Sequence, residues 1–253
     1  MLSEERRREI LELLRTDGRV LVRDLSSHFR TSQITIRKDL EFLHREGHLE
    51  RTHGGALPNV SSVLQDSPLR EKARQNRPEK IRIAAAAVHR IRPGQVIILD
   101  SGTTTSAIAR ACRKMKNLTI ITNATNIAAE LADSPVEVIL TGGVLRQNSF
   151  SLVGPLAEES LRNLSADLLF LGVDGFDVRY GLTTPNVLEA RVNRAMAESA
   201  KTTVAVCDSS KFGRRSLSLI IPTSAVHEAI TDKNISKRDL KALREANVDV
   251  TLV

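Results

Sequence analysis

From residue 94 onward, short apolar runs alternate with stretches of helical character, and this alternation constrains the fold more than any other feature of the sequence. The apolar runs lie at 96–99, 118–121, 136–140, 168–171 and 203–206, and further strands are expected at 228–231 and 248–253. Helical stretches lie at 104–115, 124–132, 156–164, 187–200 and 236–246. Such an alternation predicts an α/β fold with a mostly parallel sheet that is covered by helices on both faces.

The first sixty residues follow a different pattern. Three helical segments precede a short strand at 48–52 and a turn at Gly54 and Gly55. The third helix is expected to begin after the capping candidates Thr31 and Ser32 and to end at Gly47. Three helices followed by a β-hairpin predict a winged helix-turn-helix over residues 1–57. We expect a polar linker at 58–77 and the α/β domain at 78–253.

The third helix combines an apolar face with polar and basic side chains. Ile34, Ile36, Leu40 and Leu43 are expected to form the packed face. Gln and Arg can contact base edges, whereas Thr and Lys can hold phosphates. A solvated amphipathic helix would explain any one of these charges, but the whole arrangement favours binding to double-stranded operator DNA. The candidate DNA contacts on the helix and the hairpin are Ser32, Gln33, Thr35, Arg37, Lys38, Arg51 and His53.

In the second half, apolar strands end in small polar residues. The carboxyl ends of parallel strands meet along one edge of a sheet, where α/β proteins usually bind their ligands. Hydroxyl groups and backbone N–H groups at a helix start can hold a phosphate, Lys211 supplies a cation, and Asp100 and Asp174 can accept hydrogen bonds from sugar hydroxyls. An ordinary helix cap is the alternative for Gly102 to Thr105 taken alone. The candidate residues are Asp100, Ser101, Gly102, Thr103, Thr104, Thr105, Thr122, Asn123, Thr141, Gly142, Gly143, Asp174 and Lys211.

Both halves resemble the DeoR family of bacterial transcription regulators. Residues 35–40 match its recognition helix and 51–56 its wing, although Thr31 stands where the family usually has a small apolar residue. Residues 100–105, 141–143, 172–174 and 208–212 stand at the motifs of its sensor domain, which is related to ribose-5-phosphate isomerases. The resemblance implies a regulator, in most members a repressor, of a sugar or amino-sugar catabolic operon that is controlled by a phosphorylated sugar. Asn186 and Glu189 lie in a stretch that looks most like the amino-sugar subgroup, and they join the candidate effector site.

Catalysis is the competing function, because Glu189 could serve as the proton-transferring base of a sugar-phosphate isomerase. The glycine-rich loop expected before that residue is replaced by 181–186, and His89 and His227 lie outside the strand-end motifs. We therefore expect a regulator that is not an enzyme. The alternative is an isomerase-like enzyme fused to a DNA-binding domain.

Composition and spacing exclude several other classes. No apolar run approaches the roughly 20 residues of a membrane span, the start lacks a signal-peptide pattern, and two cysteines cannot form a disulfide framework. His44 and His48 lack the spacing of a zinc protease, and neither a P-loop nor a dinucleotide-binding motif occurs. We expect a cytoplasmic protein without metal, cofactor or membrane contact. It should be a homo-oligomer, because helix-turn-helix proteins commonly pair two units across half-sites.

Overall fold

The computed structural model describes residues 2–46, 48–58, 64 and 66–253. The chain divides into two compact units, residues 1–62 and 63–253. Among the described residues, no helix is both long enough and apolar enough to span a membrane.

The first unit is a winged helix-turn-helix, as predicted. Its elements are α1 (Ser3–Asp17), β1 (Val20–Leu21), α2 (Val22–His28), α3 (Gln33–Arg45), β2 (Leu49–Thr52) and β3 (Gly55–Pro58). The strands form an antiparallel sheet in the order β1-β3-β2. A side chain at Gly55 would place its Cβ 1.9 Å from the Val20 carbonyl oxygen, so the close pairing of β1 with β3 requires glycine. The helix end predicted at Gly47 lies outside the described residues.

The second unit is built around a seven-stranded sheet. Its elements are α4 (Leu69–Lys72), α5 (Arg77–Val88), β4 (Val96–Leu99), α6 (Thr103–Cys112), β5 (Thr119–Thr122), α7 (Thr125–Leu131), β6 (Glu137–Leu140), β7 (Val144–Arg146), β8 (Ser151–Val153), α8 (Pro155–Arg162), β9 (Ala166–Leu171), β10 (Gly175–Asp177), β11 (Gly181–Thr184), α9 (Val187–Glu198), β12 (Ala200–Val206), β13 (Ser218–Ile221), β14 (Glu228–Thr231), α10 (Lys237–Glu245) and β15 (Asp249–Leu252). The strand order is β15-β14-β12-β9-β4-β5-β6, and every neighbouring pair is parallel. The mostly parallel sheet predicted from the apolar runs is therefore confirmed.

Apolar side chains leave the sheet on both faces. Along β4, Ile97 and Leu99 join a buried cluster with Ile83 of α5 and Ile108 of α6. Ile98 points the other way and joins a second cluster, which includes residues of α8, α9 and α10. Successive side chains of a strand point to opposite faces, so an uninterrupted apolar run is what a doubly covered parallel strand requires.

Two features differ from the sequence-based expectation. The predicted linker at 58–77 contains helix α4, whose Leu69 is buried, and residues 66–77 belong to the second compact unit. Five short strands add two small antiparallel sheets, β10-β11-β13 and β7-β8, to the predicted parallel one. These additions matter because both the α4 segment and the β7-β8 hairpin supply side chains to the candidate site.

Candidate functional site

In the first unit, the polar start of α3 is ordered by a helix cap. The Ser32 hydroxyl accepts a hydrogen bond from the Thr35 backbone N–H at 3.1 Å and lies 2.9 Å from the Thr35 hydroxyl. A serine cap of this kind fixes where the helix begins. It therefore also fixes which side chains of the first turn face outward.

The outward face of α3 carries Gln33, Arg37 and Lys38, all exposed. Arg37 donates to the Gln33 side-chain oxygen at 3.2 Å, so these two predicted base readers already contact each other. The prediction that Ile34 packs in the core is wrong, because its side chain is 65% exposed. Ile34 lies two positions from the buried Ile36, which turns it to the opposite side of a helix with 3.6 residues per turn.

The hairpin residues have different surroundings. Arg51 donates to Glu41 of α3 at 2.5 Å, and this hydrogen bond lowers the pKa of the Glu41 carboxyl. His53 is exposed at the turn between β2 and β3. Arg51 thus ties the hairpin to α3, while His53 is open to a partner.

In the second unit, a cavity lies where the three central strands β4, β9 and β12 end. Its free space is about 690 Å³ including its opening to solvent. The predicted residues that line it are Asp100, Ser101, Gly102, Thr103, Thr104, Asp174, Glu189 and Lys211. The structure therefore brings together, in one cavity, residues that were predicted separately from strand ends and from a family resemblance.

Three lysines line this cavity, namely Lys72, Lys80 and Lys211, and the strand-end pattern predicts only Lys211. The Lys80 ammonium is buried and donates to the backbone oxygens of Lys72 and Gln75 at 2.5 and 2.6 Å. Burial, together with the nearby positive charges of Lys211 and Lys72, lowers the pKa of Lys80 to about 8 despite the favourable charge of Asp208. Lys80 and Lys211 give one part of the cavity the positive charge that an anionic ligand needs.

Carboxylates lie close to these cations. Asp100 is buried and accepts a hydrogen bond from the Gly172 N–H at 3.1 Å, but burial dominates and raises its pKa to about 7. Asp174 accepts a hydrogen bond from the Lys72 ammonium at 2.6 Å. Burial alone would raise the pKa of Asp174, but the charges of Lys72 and Lys211 outweigh it and the pKa is lowered.

Glu189 is held in place by three donors. One carboxylate oxygen accepts from Arg146 at 3.1 Å and from the Ser151 hydroxyl at 2.9 Å, and the other lies 3.4 Å from the Thr184 hydroxyl. These contacts occupy the carboxylate oxygens that a catalytic base would use. One turn further along α9, the buried Asn193 also lines the cavity, and its side-chain oxygen has no hydrogen-bond partner among the described residues.

The remaining predicted residues lie away from the cavity wall, and most of them serve the fold. β5 and β6 are separated from β9 and β12 by β4, which places the polar ends of these two strands towards the edge of the sheet. Three of these side chains donate hydrogen bonds to backbone carbonyls: Thr105 to that of Asp100, Thr122 to that of Leu99, and Asn123 to that of Leu152. Asn186 is the N-cap of α9. Thr141 is buried, Gly142 lies beside Leu156, and Gly143 has φ +127° with Val153 too close for a side chain.

Sequence reasoning missed the side chains that reach the cavity from outside the strand ends. They are Ser67, Lys72, Lys80, Asn148, Ser149, Thr184 and Asn193. Lys80 had a readable signal, because it lies three, four and seven positions before the buried Ile83, Ala84 and Ala87 of α5. A lysine on the apolar face of a helix is uncommon and needs a partner.

Family models match both units. The model described as DeoR-like helix-turn-helix domain matches residues 6–62, and the model described as DeoR C terminal sensor domain matches residues 75–233. The chain belongs to the DeoR family. DeoR-type helix-turn-helix domains bind DNA, and the sensor domain implies a small effector.

Curated relatives match nearly the full length of the chain. A protein of Escherichia coli O157:H7, named as a candidate transcriptional repressor of the aga operon, is 45% identical over 99% of this chain and 94% of the relative. The transcriptional regulator GlpR of Haloferax volcanii is 42% identical over 99% of this chain and 98% of its own. The glycerol-3-phosphate regulon repressor of Escherichia coli K12 is 31% identical over the whole of both chains. These relatives are named as regulators rather than enzymes, which confirms the predicted class.

Among solved structures, the chain is similar to ribose-5-phosphate isomerase A of Methanocaldococcus jannaschii. The likeness covers 55% of each chain at 17% identity, with a TM-score of 0.42. A likeness this distant has no bearing on function.

Proposed function

We propose that this DeoR-family member represses a sugar-related catabolic operon and that a phosphorylated sugar or amino sugar, bound in the cavity of the second unit, controls its affinity for the operator. The names of the relatives support this proposal: one refers to the aga operon, an amino-sugar operon, and another to the glycerol-3-phosphate regulon. The similarity to the aga relative also supports the amino-sugar subgroup.

The cavity lining carries the effector part of the proposal. Thr103 and Thr104 begin α6 after Gly102, so backbone N–H groups and hydroxyls of the first turn can receive a phosphate. Lys80 and Lys211 line the same cavity and can neutralise its charge. Asp100, Asp174 and Asn193 supply acceptors for hydroxyl or amino groups of the sugar.

The same geometry favours binding over catalysis. An isomerase needs a base that is free to take a proton from the substrate. Glu189 is instead engaged by Arg146, Ser151 and Thr184. A sensor needs only a ligand affinity that differs between two states of the protein.

DNA binding is assigned to α3 and the hairpin. Gln33, Arg37 and Lys38 form an exposed polar face on a capped helix, and Ile34 adds an apolar side chain that can contact a thymine methyl group. Ser32 and Thr35 lie at the helix start, where the backbone favours a phosphate.

The test is a thermal-shift screen of the full chain, since a ligand that binds only the folded protein raises its apparent stability. The panel comprises galactosamine 6-phosphate, glucosamine 6-phosphate, glycerol 3-phosphate, inorganic phosphate and the unphosphorylated sugars. Ligands that stabilise the protein are then added to an operator-binding titration, and the mixtures are checked for isomerised product. Stabilisation by a phosphorylated sugar together with weaker operator binding supports the proposal. Stabilisation without a change in operator affinity contradicts it, and turnover would favour the isomerase alternative.

A further inference from the structure

The segment 66–76, here called the strap, forms one wall of the cavity. It follows the helix-turn-helix unit in sequence and lies almost entirely before residue 75, where the match to the sensor-domain model begins. Ser67, Leu69 and Lys72 of the strap line the cavity. The same stretch of chain therefore lines the ligand site and leads back, through residues 58–65, to the DNA-binding unit.

The strap is attached to the second unit at both ends. At its start, the Leu69 N–H donates to the Asn148 carbonyl at 2.9 Å, and the Asn148 side chain donates to the Asp66 carbonyl at 2.8 Å. At its end, Asn76 donates to Asp208 at 2.8 Å. Asn148 lies between β7 and β8, so the strap is held by the small hairpin as well as by the end of β12.

The middle of the strap is held by an ion pair inside the cavity. The Lys72 ammonium lies 2.6 Å from the Asp174 carboxylate, and each side chain is only 22% exposed. A partly buried ion pair is sensitive to the loss of one partner, because the remaining charge is left without compensation. Lys72 thus occupies the Asp174 carboxylate, which a hydroxyl or amino group of the ligand would need as its acceptor.

A second chain of charges links the strap to α9. Arg146 of β7 contacts Asp66 of the strap and, through its other terminal nitrogen, the Glu189 carboxylate at 3.1 Å. Glu189 in turn lines the cavity. Ligand groups that approach Asp174 or Glu189 therefore meet residues that already hold the strap.

We propose that Lys72 competes with the ligand for Asp174, so that ligand binding breaks this ion pair and loosens the strap that leads to the DNA-binding unit. This inference rests on the proposed function, because it uses the same cavity as the effector site. It assigns to Lys72 a role opposite to that of an ordinary phosphate-binding lysine: its removal should strengthen ligand binding. By linkage, a change that mimics the loosened strap should also weaken operator binding in the absence of ligand.

The experiment compares the full-length wild type with Lys72→Met, Lys72→Arg and Arg74→Met. Arg74→Met is the matched control, because Arg74 is an exposed cation of the same strap. Operator affinity is measured without ligand, and affinity for galactosamine 6-phosphate and glycerol 3-phosphate is measured separately by calorimetry. Hydrogen exchange of the strap amides, the Leu69 N–H above all, is followed with and without ligand. Far-UV circular dichroism and a thermal melt verify that each variant is folded.

We expect Lys72→Met to weaken operator binding about fivefold or more, the lower range of common allosteric couplings, and to bind the sugar phosphate more tightly. Lys72→Arg should stay closer to wild type, Arg74→Met should equal wild type, and ligand should speed exchange in the wild-type strap. Weaker ligand binding by Lys72→Met would overturn the proposal, since Lys72 would then be a direct ligand contact.

The two proposals fail differently. If a sugar phosphate binds and lowers the affinity for the operator but Lys72→Met behaves like wild type, the proposal that Lys72 competes with the ligand is wrong and the proposed function stands. If no phosphorylated sugar binds, the proposed effector class is wrong. The operator titration without ligand still tests the proposed role of the strap, and an unchanged operator affinity in Lys72→Met rejects that role.

Discussion

At the residue scale, Asp100 is a buried carboxyl group that lines the cavity at the end of a strand. Its carboxylate follows the apolar strand β4 and is 2% exposed, and burial raises its pKa to about 7. An ordinary unfolded Asp has a pKa near ~3.9. The folded protein therefore binds a proton at Asp100 over a pH range in which the unfolded chain has lost it.

This difference predicts a pH dependence of stability. The contribution of Asp100 is fully present below the unfolded pKa and is lost as pH rises towards about 7, the folded pKa. We expect the free energy of unfolding of wild type to fall relative to Asp100→Asn by up to ~1.4 kcal/mol per pH unit across this window, and the difference to level off above it. Urea titrations of both proteins at several pH values measure it. The exposed Asp133→Asn serves as the control, and parallel curves for wild type and Asp100→Asn would show that another group titrates.

At the element scale, α3 has one face packed in the core and an opposite, exposed face with Gln33, Arg37 and Lys38, here called the reading face. Ile36 is fully buried, whereas Ile34 is 65% exposed. We expect Ile36→Ala to lower the free energy of unfolding by about 2–5 kcal/mol and Ile34→Ala to change it by less than ~0.5 kcal/mol. Urea unfolding of the two variants makes the comparison with the same chemical change on both faces. Equal losses would mean that Ile34 packs against the protein after all.

Arg37 on the reading face allows a prediction about operator binding. If Arg37 contacts a base, Arg37→Ala should weaken operator binding by about 1–3 kcal/mol and lose the preference for that base pair. Titrations against the operator and single-base-pair variants of it measure both effects. Arg8→Ala, an exposed arginine of α1, is the matched control. A uniform loss on every sequence would indicate a phosphate contact, and unchanged binding would remove Arg37 from the interface.

The elements that the sequence predicts are those whose apolar pattern is strong. Runs that are almost entirely apolar, such as 96–99 and 203–206, are buried on both faces of the sheet, so their composition marks them as central strands. The strands β7, β10 and β11 are similarly short, but they include polar or glycine positions, so local pattern cannot separate them from loops. The same limit applies to the site: strand ends predicted Asp100, Asp174 and Lys211, whereas Lys72 reaches the cavity only because tertiary packing places the strap there.

At the scale of the whole molecule, one helix-turn-helix offers a small interface with DNA. Such proteins commonly place two recognition helices in half-sites about 34 Å apart or a multiple of that distance. We therefore predict that the full chain self-associates through the second unit. Sedimentation equilibrium at micromolar concentration, with and without operator, should give a mass of at least twice 27.9 kDa. The matched sample is a fragment of residues 63–253, which should keep the same stoichiometry if the second unit carries the assembly. A monomeric full chain in both conditions would contradict the prediction.

Because the chain divides into two units, we predict a variant that still binds the operator but responds less to the effector. Lys211 lines the cavity beyond the end of β12, whereas α3 belongs to the other compact unit. If Lys211 pairs with the effector phosphate, Lys211→Ala should lose a charge-assisted hydrogen bond and about 1.5–3 kcal/mol of effector affinity. Operator binding without effector should stay at the wild-type value, because Lys211 lies outside both the DNA-reading helix α3 and the strap.

Lys201→Ala is the matched control, since Lys201 lies near the opposite end of β12 and pairs with Asp167. Operator titrations of the three proteins over a range of sugar-phosphate concentrations measure the response. The Lys211→Ala curve should shift to roughly tenfold or higher effector concentration, which corresponds to a loss of at least ~1.4 kcal/mol, while Lys201→Ala follows wild type. A Lys211→Ala protein that responds at wild-type concentrations would exclude this ammonium from the phosphate site. Since Lys80 lines the same cavity, the phosphate would then have to rely on Lys80 and the first turn of α6.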